Sequence, residues 1–584
     1  MIKKFFIVLI SVILLCAAAA AVFFVTFDAN RYKGLISQGL EKALGKPVEI
    51  GNVGLAWDGG IALAVSKLAV YSDASKSASP GLSVDSVSVR VRLMPLLQKN
   101  IQIVSIVVAK PFADISREAD GRILVGGINF AKSSAPAAPA GTASAAGTPA
   151  FLVSIDTVSI RAARVLFHDR SGPSPLNLEI KNADAYVKNF SLDKSFTFQA
   201  AASVLSDRQN LKISGGMTLP HGSADGLIQN VVITTDLADM DVQKMAQTFP
   251  AFASAGIREK MRGIFSIEVG KLVINPQSIA AAKADIFLKN GRIVPAGLGA
   301  AVDPIEMTAV AGPAGIQLNH FTANVEGGLV DLSGTAVHLG AAPGLTIKGS
   351  VKDLPVSQLV KNLNPKAPQL SGHLAVSIDG TARGLDWNTI SKTLSGNARV
   401  QMSDGVLLNY NFLKAVIDKL SAIPGAESAI QNHFPQAYRA RLDDKSTILK
   451  PVDLSAKITN GVFRFDSFQI ASDFVQISGS GNAALDRSLS FRANLILNRE
   501  ISQAFAGAFS PAQLLCDSQG QITVPVEIAG ELPQVKIIPD TQYITSKLLA
   551  GKTQEMVQQL VSDPQNSLNK IQDIFKKNVK GLNL

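Results

Sequence analysis

The sequence is poor in cysteine and in charged side chains, and each shortage excludes a class of protein. Cys16 lies inside a long apolar run and Cys516 stands near the other end of the chain, so no intrachain disulfide is expected. Charged residues make up 17% of the chain, below the usual quarter or so. Lysine and arginine give a net charge of +10 but are scattered, which argues against a nucleic-acid partner.

Catalytic and metal-binding patterns are also missing from the sequence. The 6 histidines are isolated, and no pair has the spacing of metal ligands. We find no nucleophile elbow, phosphate-binding loop or dinucleotide fingerprint. His168-Asp169-Arg170 follows a predicted strand and precedes Ser-Gly-Pro, so we interpret it as a solvated turn. The sequence therefore predicts a non-enzyme with no catalytic residues, no cofactor and no metal site.

A long apolar run opens the chain. Between Phe5 and Phe27 there is no charged residue, and a helix of this length would span the roughly 30 Å hydrocarbon core of a bilayer. We predict an uncleaved membrane anchor. The alternative is a cleaved signal peptide with small-residue sites at 17–21, but the run exceeds the usual apolar region of about 7–15 residues. The candidate anchor residues are Phe5, Leu9, Leu14, Phe23 and Phe27.

A short segment of helical periodicity follows the anchor. Tyr32, Leu35, Ile36, Leu40 and Leu44 recur at the spacing of one helix face, and Gly45 then favours a helix end. We expect this helix to plug the end of a β-sheet. Contact with a membrane surface is the alternative.

From residue 48 the apolar period changes to two, which is typical of strands with one wet and one dry face. The predicted fold class is mainly β: a transmembrane helix, then a long, curved, mostly antiparallel β-sheet groove with a few short helices and a C-terminal amphipathic helix. We expect on the order of 20–25 strands. Asp120-Gly121 is a turn signal between strands, and Asp404-Gly405 is a hairpin signal.

The last third carries helical segments at 412–422 and 426–438, well-patterned strands and a basic helical tail from residue 541. The tail could bind an anionic membrane or form a lid on the sheet end. An apolar face this long must either curl into a barrel or sandwich or hold a ligand. Acyl chains would fit such a groove, and its candidate residues are Val87, Val89, Val91, Phe463, Phe465, Val475, Ile477, Phe491, Leu495 and Leu497.

Both ends of the chain resemble the AsmA family of bacterial envelope proteins, which is related in design to TamB- and YhdP-type proteins. At the front, DANRYK follows the apolar run and leads through a helix to GK and VEIGNV. At the back, the matching stretches are LSGNARVQMSDGVL, NGVFRFDSFQIAS, VQISGSGNAALDRSLSF and VPVEIAGELPQVKIIPD.

The resemblance implies a single-pass protein of the bacterial inner membrane whose bulk lies in the periplasm. It also implies a β groove related to bridge-like lipid transfer proteins, with phospholipid, the inner membrane and outer-membrane or other envelope proteins as partners. The expected role is phospholipid transport between the two membranes and outer-membrane homeostasis. The alternative is a non-enzymatic factor that assembles outer-membrane proteins by edge pairing of strands.

The predicted organisation has six parts, with an Ala/Pro-rich flexible linker that interrupts the β region. The parts are 1–27 (membrane anchor), 28–132 (N-terminal β region), 133–150 (linker), 151–393 (middle β-groove region), 394–540 (C-terminal module) and 541–584 (amphipathic helical tail).

Overall fold

The computed structural model describes most of the β-rich part of the chain. The described residues are 28–57, 60–72, 79–92, 102–129, 154–171, 175–220, 225–249, 256–257, 259–274, 283–296, 298, 300–338, 342–357, 369–421, 428, 432, 435–531 and 534–547. The predicted anchor with its five candidate residues, the linker at 133–150 and tail residues 548–584 lie outside this set. Among the residues described, no helix is both long and apolar enough to cross a membrane.

The described residues form one large, mostly antiparallel sheet of 27 strands, which confirms the mainly β prediction. The strands are β1 Val48–Glu49, β2 Val53–Trp57, β3 Ile61–Val70, β4 Leu82–Val91, β5 Ile103–Ala109, β6 Phe112–Arg117, β7 Ile123–Val125, β8 Ser154–Asp169, β9 Leu176–Ser191, β10 Phe196–Val204, β11 Leu211–Thr218, β12 Gly226–Asp236, β13 Arg262–Ile274, β14 Ala284–Ile293, β15 Val302–Gly312, β16 Gly315–Val325, β17 Gly328–Val337, β18 Gly344–Pro355, β19 Gln369–Arg383, β20 Ser395–Leu408, β21 Ser446–Ile448, β22 Val452–Thr459, β23 Val462–Ala471, β24 Val475–Ala484, β25 Ser488–Leu497, β26 Thr523–Glu531 and β27 Gln534–Pro539.

Short helices interrupt the strands at a few connections. Among the described residues, the α-helices include α1 Lys33–Leu44, α2 Val242–Thr248, α3 Trp387–Thr393, α4 Phe412–Ser421, α5 Gln436–Leu442 and α6 Arg499–Ala508, and 3-10 turns span Ala29–Tyr32 and Ser510–Leu515. The first helix predicted in the last third is confirmed as α4. Within the second predicted helix, the described residues Ser428 and Asn432 are helical. α5 begins after Pro435, whose ring and missing N–H favour a helix start, and extends past the predicted end at residue 438.

Contact density divides the chain into two compact units. Unit 1 comprises Met1–Ala296 and Pro304–Pro313, and unit 2 comprises Gly297–Asp303 and Ala314–Leu584.

In unit 1 the sheet is continuous on both sides of the Ala/Pro-rich linker. β5 and β6 follow one another along the same edge of β4. Both then pair in parallel with the 16-residue β8, with Ile103 opposite Ile155 and Phe112 opposite Arg164. From β8 to β14 each strand pairs antiparallel with the next. The linker therefore connects β7 and β8, which both pair with β6 in the same sheet.

In unit 2 the sheet grows hairpin by hairpin from β16 to β20. β21 and β22 share the next edge of β20, and β22 to β27 continue antiparallel.

The two Asp-Gly signals have different outcomes. Asp120-Gly121 forms the expected turn, in which the Gly121 N–H donates to the Glu118 carbonyl at 2.9 Å. The hairpin predicted at Asp404-Gly405 is wrong, because β20 runs through both residues. Asp404 has φ +52° and lies at a one-residue register shift against β19, which is a β-bulge. Asp tolerates this left-handed backbone, so the same residue pair suits a bulge as well as a turn.

The helix after the predicted anchor plugs the first strands, as expected. Ile36, Leu40 and Leu44 of α1 pack against the buried cluster that contains Val48 and Val53. Gly45 ends the helix with φ +63°, and its N–H donates to the Glu41 carbonyl at 2.8 Å.

Candidate functional site

An unbroken row of aliphatic side chains crosses unit 1 from strand to strand. Each member lies directly opposite the next, so all of them share one face of the sheet. This apolar row consists of Val53, Val65, Val87, Val108, Ile160, Ala185, Ala200, Ile213, Ile233, Ile267 and Ile286. It passes through the parallel pairing of β5 with β8 without a polar residue.

A second row runs beside the first on the same face. It contains the predicted groove residue Val89, and it continues through Val158 and Val187 to Phe198. Val91, the third predicted residue of β4, pairs with Ile103. The face is therefore several side chains wide.

The burial of this face is partial. Val53 is only 2% exposed beneath α1, whereas Val65 and every later member of the apolar row are half-buried. These intermediate exposed fractions mean that neighbouring side chains shield one another while water still reaches them. Removing this surface from water would contribute about 25 cal/mol per Å², which gives an apolar ligand a substantial driving force.

Unit 2 carries the same kind of face in its first strands. Val330, Val351, Val376 and Val400 lie opposite one another across β17 to β20, and all four are half-buried.

Three predicted aromatic residues continue this face. Phe463 and Phe465 on β23 are half-buried, and the Phe465 ring lies 5.8 Å from the ring of Phe491. Gly481 on β24 lies between the two residues, opposite Phe465 on one side and opposite Phe491 on the other. A Cβ there would lie 2.6 Å from the Phe491 ring, so glycine allows the aromatic contact.

The remaining four predicted residues lie beneath helices. Val475, Ile477, Leu495 and Leu497 are 8% exposed or less and belong to one buried cluster. Phe412, Leu413, Val416, Ile417 and Leu420 of α4 and Ile501, Phe505 and Ala506 of α6 form its other side. We call α4, α6 and the turn Ser510–Leu515 the helical cover. These four side chains are packed in the protein core, which leaves six of the predicted residues on half-buried surface.

Two hydrogen-bonding residues fix the helical cover to the strands. The Asn498 carboxamide accepts from the Ile501 N–H at 2.9 Å and donates to the Asp473 carbonyl at 3.0 Å, so it caps α6 and holds it to the turn between β23 and β24. The Ser502 hydroxyl, fully buried, accepts from the Ile522 N–H at 2.9 Å.

A small apolar cavity remains at the edge of the helical cover. It measures about 110 Å³ and is lined by residues of α4, β25 to β27 and the helical turn after β27, including Tyr410, Leu495 and Ile544.

The opposite face of the unit 2 strands is polar. It forms an open recess of about 860 Å³ lined by ion pairs. Arg399 Nε donates to Asp453 Oδ1 at 2.8 Å, and Lys348 Nζ lies 3.5 Å from Asp379 Oδ2. The bond from Arg399 lowers the pKa of the Asp453 carboxyl. One face of these strands is thus apolar and the other is polar.

His168 and Asp169 are placed at the end of β8 rather than in the predicted turn. His168 Nε2 lies 3.6 Å from Asp114 Oδ1, and Arg117 Nη1 lies 3.5 Å from Asp169 Oδ2. The Ser171 hydroxyl and N–H both donate to Asp169 and lower its pKa. These groups join the parallel strands β6 and β8.

Across the described ranges, no group of three or more His, Cys, Asp or Glu side chains is placed to hold a metal ion. The Cys516 thiol is half-buried, and burial raises its pKa.

The protein-family comparison decides the relationship of the chain. The model of the AsmA family matches residues 1–258 and 268–468. The chain belongs to the AsmA family. No curated protein matches the sequence.

The AsmA match covers the middle of the chain as well as its front, and it stops within β23. The strands beneath the helical cover therefore lie mostly beyond the matched AsmA residues. Sequence periodicity identified the apolar strands but missed the row across them, because a register between strands is not readable from one strand alone. The signal that could have separated core from open surface is the amphipathic pattern of α4 and α6, whose apolar faces need a partner.

Proposed function

We propose that this AsmA-family protein binds phospholipid acyl chains along the apolar face of its sheet and transfers lipid between the inner and outer membranes, thereby supporting outer-membrane homeostasis. The lipid headgroups remain in water at the edge of that face. The protein is held in the inner membrane by a single N-terminal helix, and the bulk of the chain lies in the periplasm.

The half-buried apolar row of unit 1 carries this proposal. A folded protein rarely leaves so long a strip of Val and Ile in contact with water unless something binds there. An acyl chain needs apolar surface without polar partners, and the ten members of the row after Val53 offer only aliphatic side chains. Membership of the AsmA family is consistent with lipid transport or assembly in the envelope.

Site-specific photo-crosslinking tests the proposal. A benzophenone amino acid at Ala200, on the apolar row, should capture phospholipid in cells, as should one at Val87. The matched control is Gln199, the neighbour of Ala200 on the same strand, which is exposed on the opposite face. Mass spectrometry identifies the adduct. Absence of lipid at both apolar positions, or equal capture at Gln199, would contradict the proposal.

The second candidate function, assembly of outer-membrane proteins, is favoured by the last strand of unit 2. β27 pairs with β26 along one edge, and no described strand pairs with its other edge. Val535, Ile537 and Ile538 on it are 37%, 44% and 50% exposed. An open apolar edge can accept an extended polypeptide by strand addition. A crosslinker at Val535 that captures polypeptide, with lipid absent at Ala200, would favour this function.

A further inference from the structure

Two large apolar side chains project into solvent from one rim of unit 2. Leu385 is 70% exposed and Trp387 is 67% exposed, in the connection between β19 and β20. We call residues 384–387 the rim loop. Single exposed apolar residues are ordinary, but an exposed Leu and an exposed Trp separated by one residue form a concentrated apolar surface.

The rim loop is held firmly by its backbone. The Gly384 N–H donates to the Pro343 carbonyl at 2.9 Å. Gly384 has φ +81°, and a Cβ there would lie 2.6 Å from Thr389, so the tight path requires glycine. The Asp386 carboxylate caps α3 by accepting from the Thr389 N–H at 2.9 Å.

The helix after the loop is tied to the sheet as well. The Thr393 hydroxyl accepts from the Arg383 N–H at 2.9 Å and donates to the Thr389 carbonyl at 2.8 Å. Ile390 packs against a cluster that includes Ala382 and Ile458. The rim loop is therefore fixed in place while Leu385 and Trp387 are exposed. Ile390 is the apolar side chain of α3 that packs against the sheet.

The neighbouring hairpins extend the apolar rim. The turn at Gly461 lies against α3, because its N–H donates to the Leu394 carbonyl at 2.8 Å. Val462 follows directly and is 38% exposed. Val337, at 36% exposure, lies in the same cross-strand row as Gly344 and Arg383.

Positive charge lies beside these apolar side chains. Arg383 and Lys392 are exposed on either side of the rim loop, and Arg487 is exposed at the turn between β24 and β25. The nearby carboxylates of Asp386 and Asp486 already accept hydrogen bonds from their own turns. Tryptophan prefers the interface between water and hydrocarbon, and long cationic side chains reach from there to phosphate groups.

We propose that the rim loop docks on the surface of a phospholipid bilayer, with Leu385 and Trp387 inserted at the headgroup boundary and Arg383 and Lys392 on the lipid phosphates. This is a contact with a membrane surface and not with a single lipid. This contact can be tested independently of the proposed function. α3 packs on the apolar cluster of the same strands, so the docked rim would also be a point of lipid entry or exit. That use of the contact rests on the proposed function.

Tryptophan fluorescence tests the contact in the full chain. The protein has 2 tryptophans, so Trp57→Phe leaves Trp387 as the single reporter. This variant is reconstituted in phosphatidylcholine vesicles, and a second set of vesicles of phosphatidylcholine and phosphatidylglycerol is added. Brominated acyl chains are placed either in the first set or in the second. We expect a blue shift and strong quenching of Trp387 in one of the two arrangements, stronger with phosphatidylglycerol than without it.

Leu385→Ser in the same background should raise the lipid concentration needed for half-maximal quenching roughly tenfold, because one large apolar side chain is no longer removed from water. The matched control is Ile448→Ser, which removes a side chain that is 68% exposed on β21 and should change nothing. Circular dichroism confirms that both variants fold. Failure of quenching in both arrangements, or quenching that Leu385→Ser leaves unchanged, overturns the inference.

A short-chain brominated phospholipid, supplied as monomers, separates the two proposals. Quenching by monomers alone would show lipid binding without bilayer docking and would overturn the inference while supporting the proposed function. Quenching by bilayers, together with no phospholipid crosslinked at either Ala200 or Val87, would support the inference and contradict the proposed function.

Discussion

The strands beneath the helical cover and the strands of the apolar row share one sequence pattern but differ in burial. Leu495 and Leu497 are 8% and 0% exposed, whereas Ile213 and Ile233 are half-buried. The difference comes from the connections. The chain between β25 and β26 supplies α6, while β11 and β12 are joined by a connection with no helix among its described residues. Alternation along a strand thus sets which side chains share a face, and the inserted helices decide whether that face becomes core.

A buried charge should separate the two regions most strongly. Leu495→Glu places a carboxylate beneath the helical cover, and we expect a loss of more than about 4 kcal/mol in the free energy of unfolding. Ile213→Glu on the apolar row should cost only about 1 kcal/mol, because the carboxylate can reach water. Urea unfolding followed by circular dichroism measures both. Equal losses would show that the apolar row is as well covered as the core.

A matched pair of phenylalanine truncations gives the next largest contrast. Phe505 is 0% exposed in α6, so Phe505→Ala should cost about 3–5 kcal/mol through lost burial and a cavity. Phe198 on β10 is half-buried, and its truncation should cost less than half as much. Thermal unfolding of each variant beside the parent checks the order. A larger loss for Phe198→Ala would reverse the comparison.

Helix caps provide a smaller test. Asn498→Ala removes the N-cap of α6 and should destabilise unit 2 by about 1 kcal/mol. Asp241→Ala removes the N-cap of α2, which buries only Met245 among its described residues, so its effect should be smaller. Native-state hydrogen exchange at the two helices measures each loss. If both variants exchange alike, the helical cover contributes little to unit 2.

Acid should produce the mildest effect. The Gln521 N–H donates to Asp517 at 3.0 Å and lowers the pKa of that carboxyl. A carboxyl with a lowered folded pKa stabilises the protein above its unfolded pKa of about 3.9, and this contribution is lost as the pH falls through the folded value. The free energy of unfolding of unit 2 should therefore fall below about pH 4, and it should fall less steeply with decreasing pH in Asp517→Asn. Asp169→Asn, in unit 1, serves as the control and should leave that transition unchanged.

The sequence alone was sufficient to predict a mainly β, mostly antiparallel fold with few short helices, since alternation in strands such as β4 is a local property. It also predicted that α1 would plug the first strands, because Ile36, Leu40 and Leu44 recur on one helix face. Burial was harder to predict. Leu495 and Val89 have the same alternating surroundings, and only the three-dimensional position of α4 and α6 makes one of them core. The bulge at Asp404 was missed for a similar reason, since cross-strand register decides between bulge and turn.

The parallel pairing of β8 has a consequence for how the sheet assembles. Val108 and Ile160 are 52 positions apart in the sequence, whereas hairpin partners such as Ile213 and Ile233 are 20 positions apart. Closing a longer loop costs more chain entropy and slows contact formation. We expect the strands up to β7 and the strands from β8 onward to nucleate separately as local hairpins and to join late. Until then the edges of β5 and β8 that meet in this pairing remain open, which exposes the junction to misassembly during synthesis.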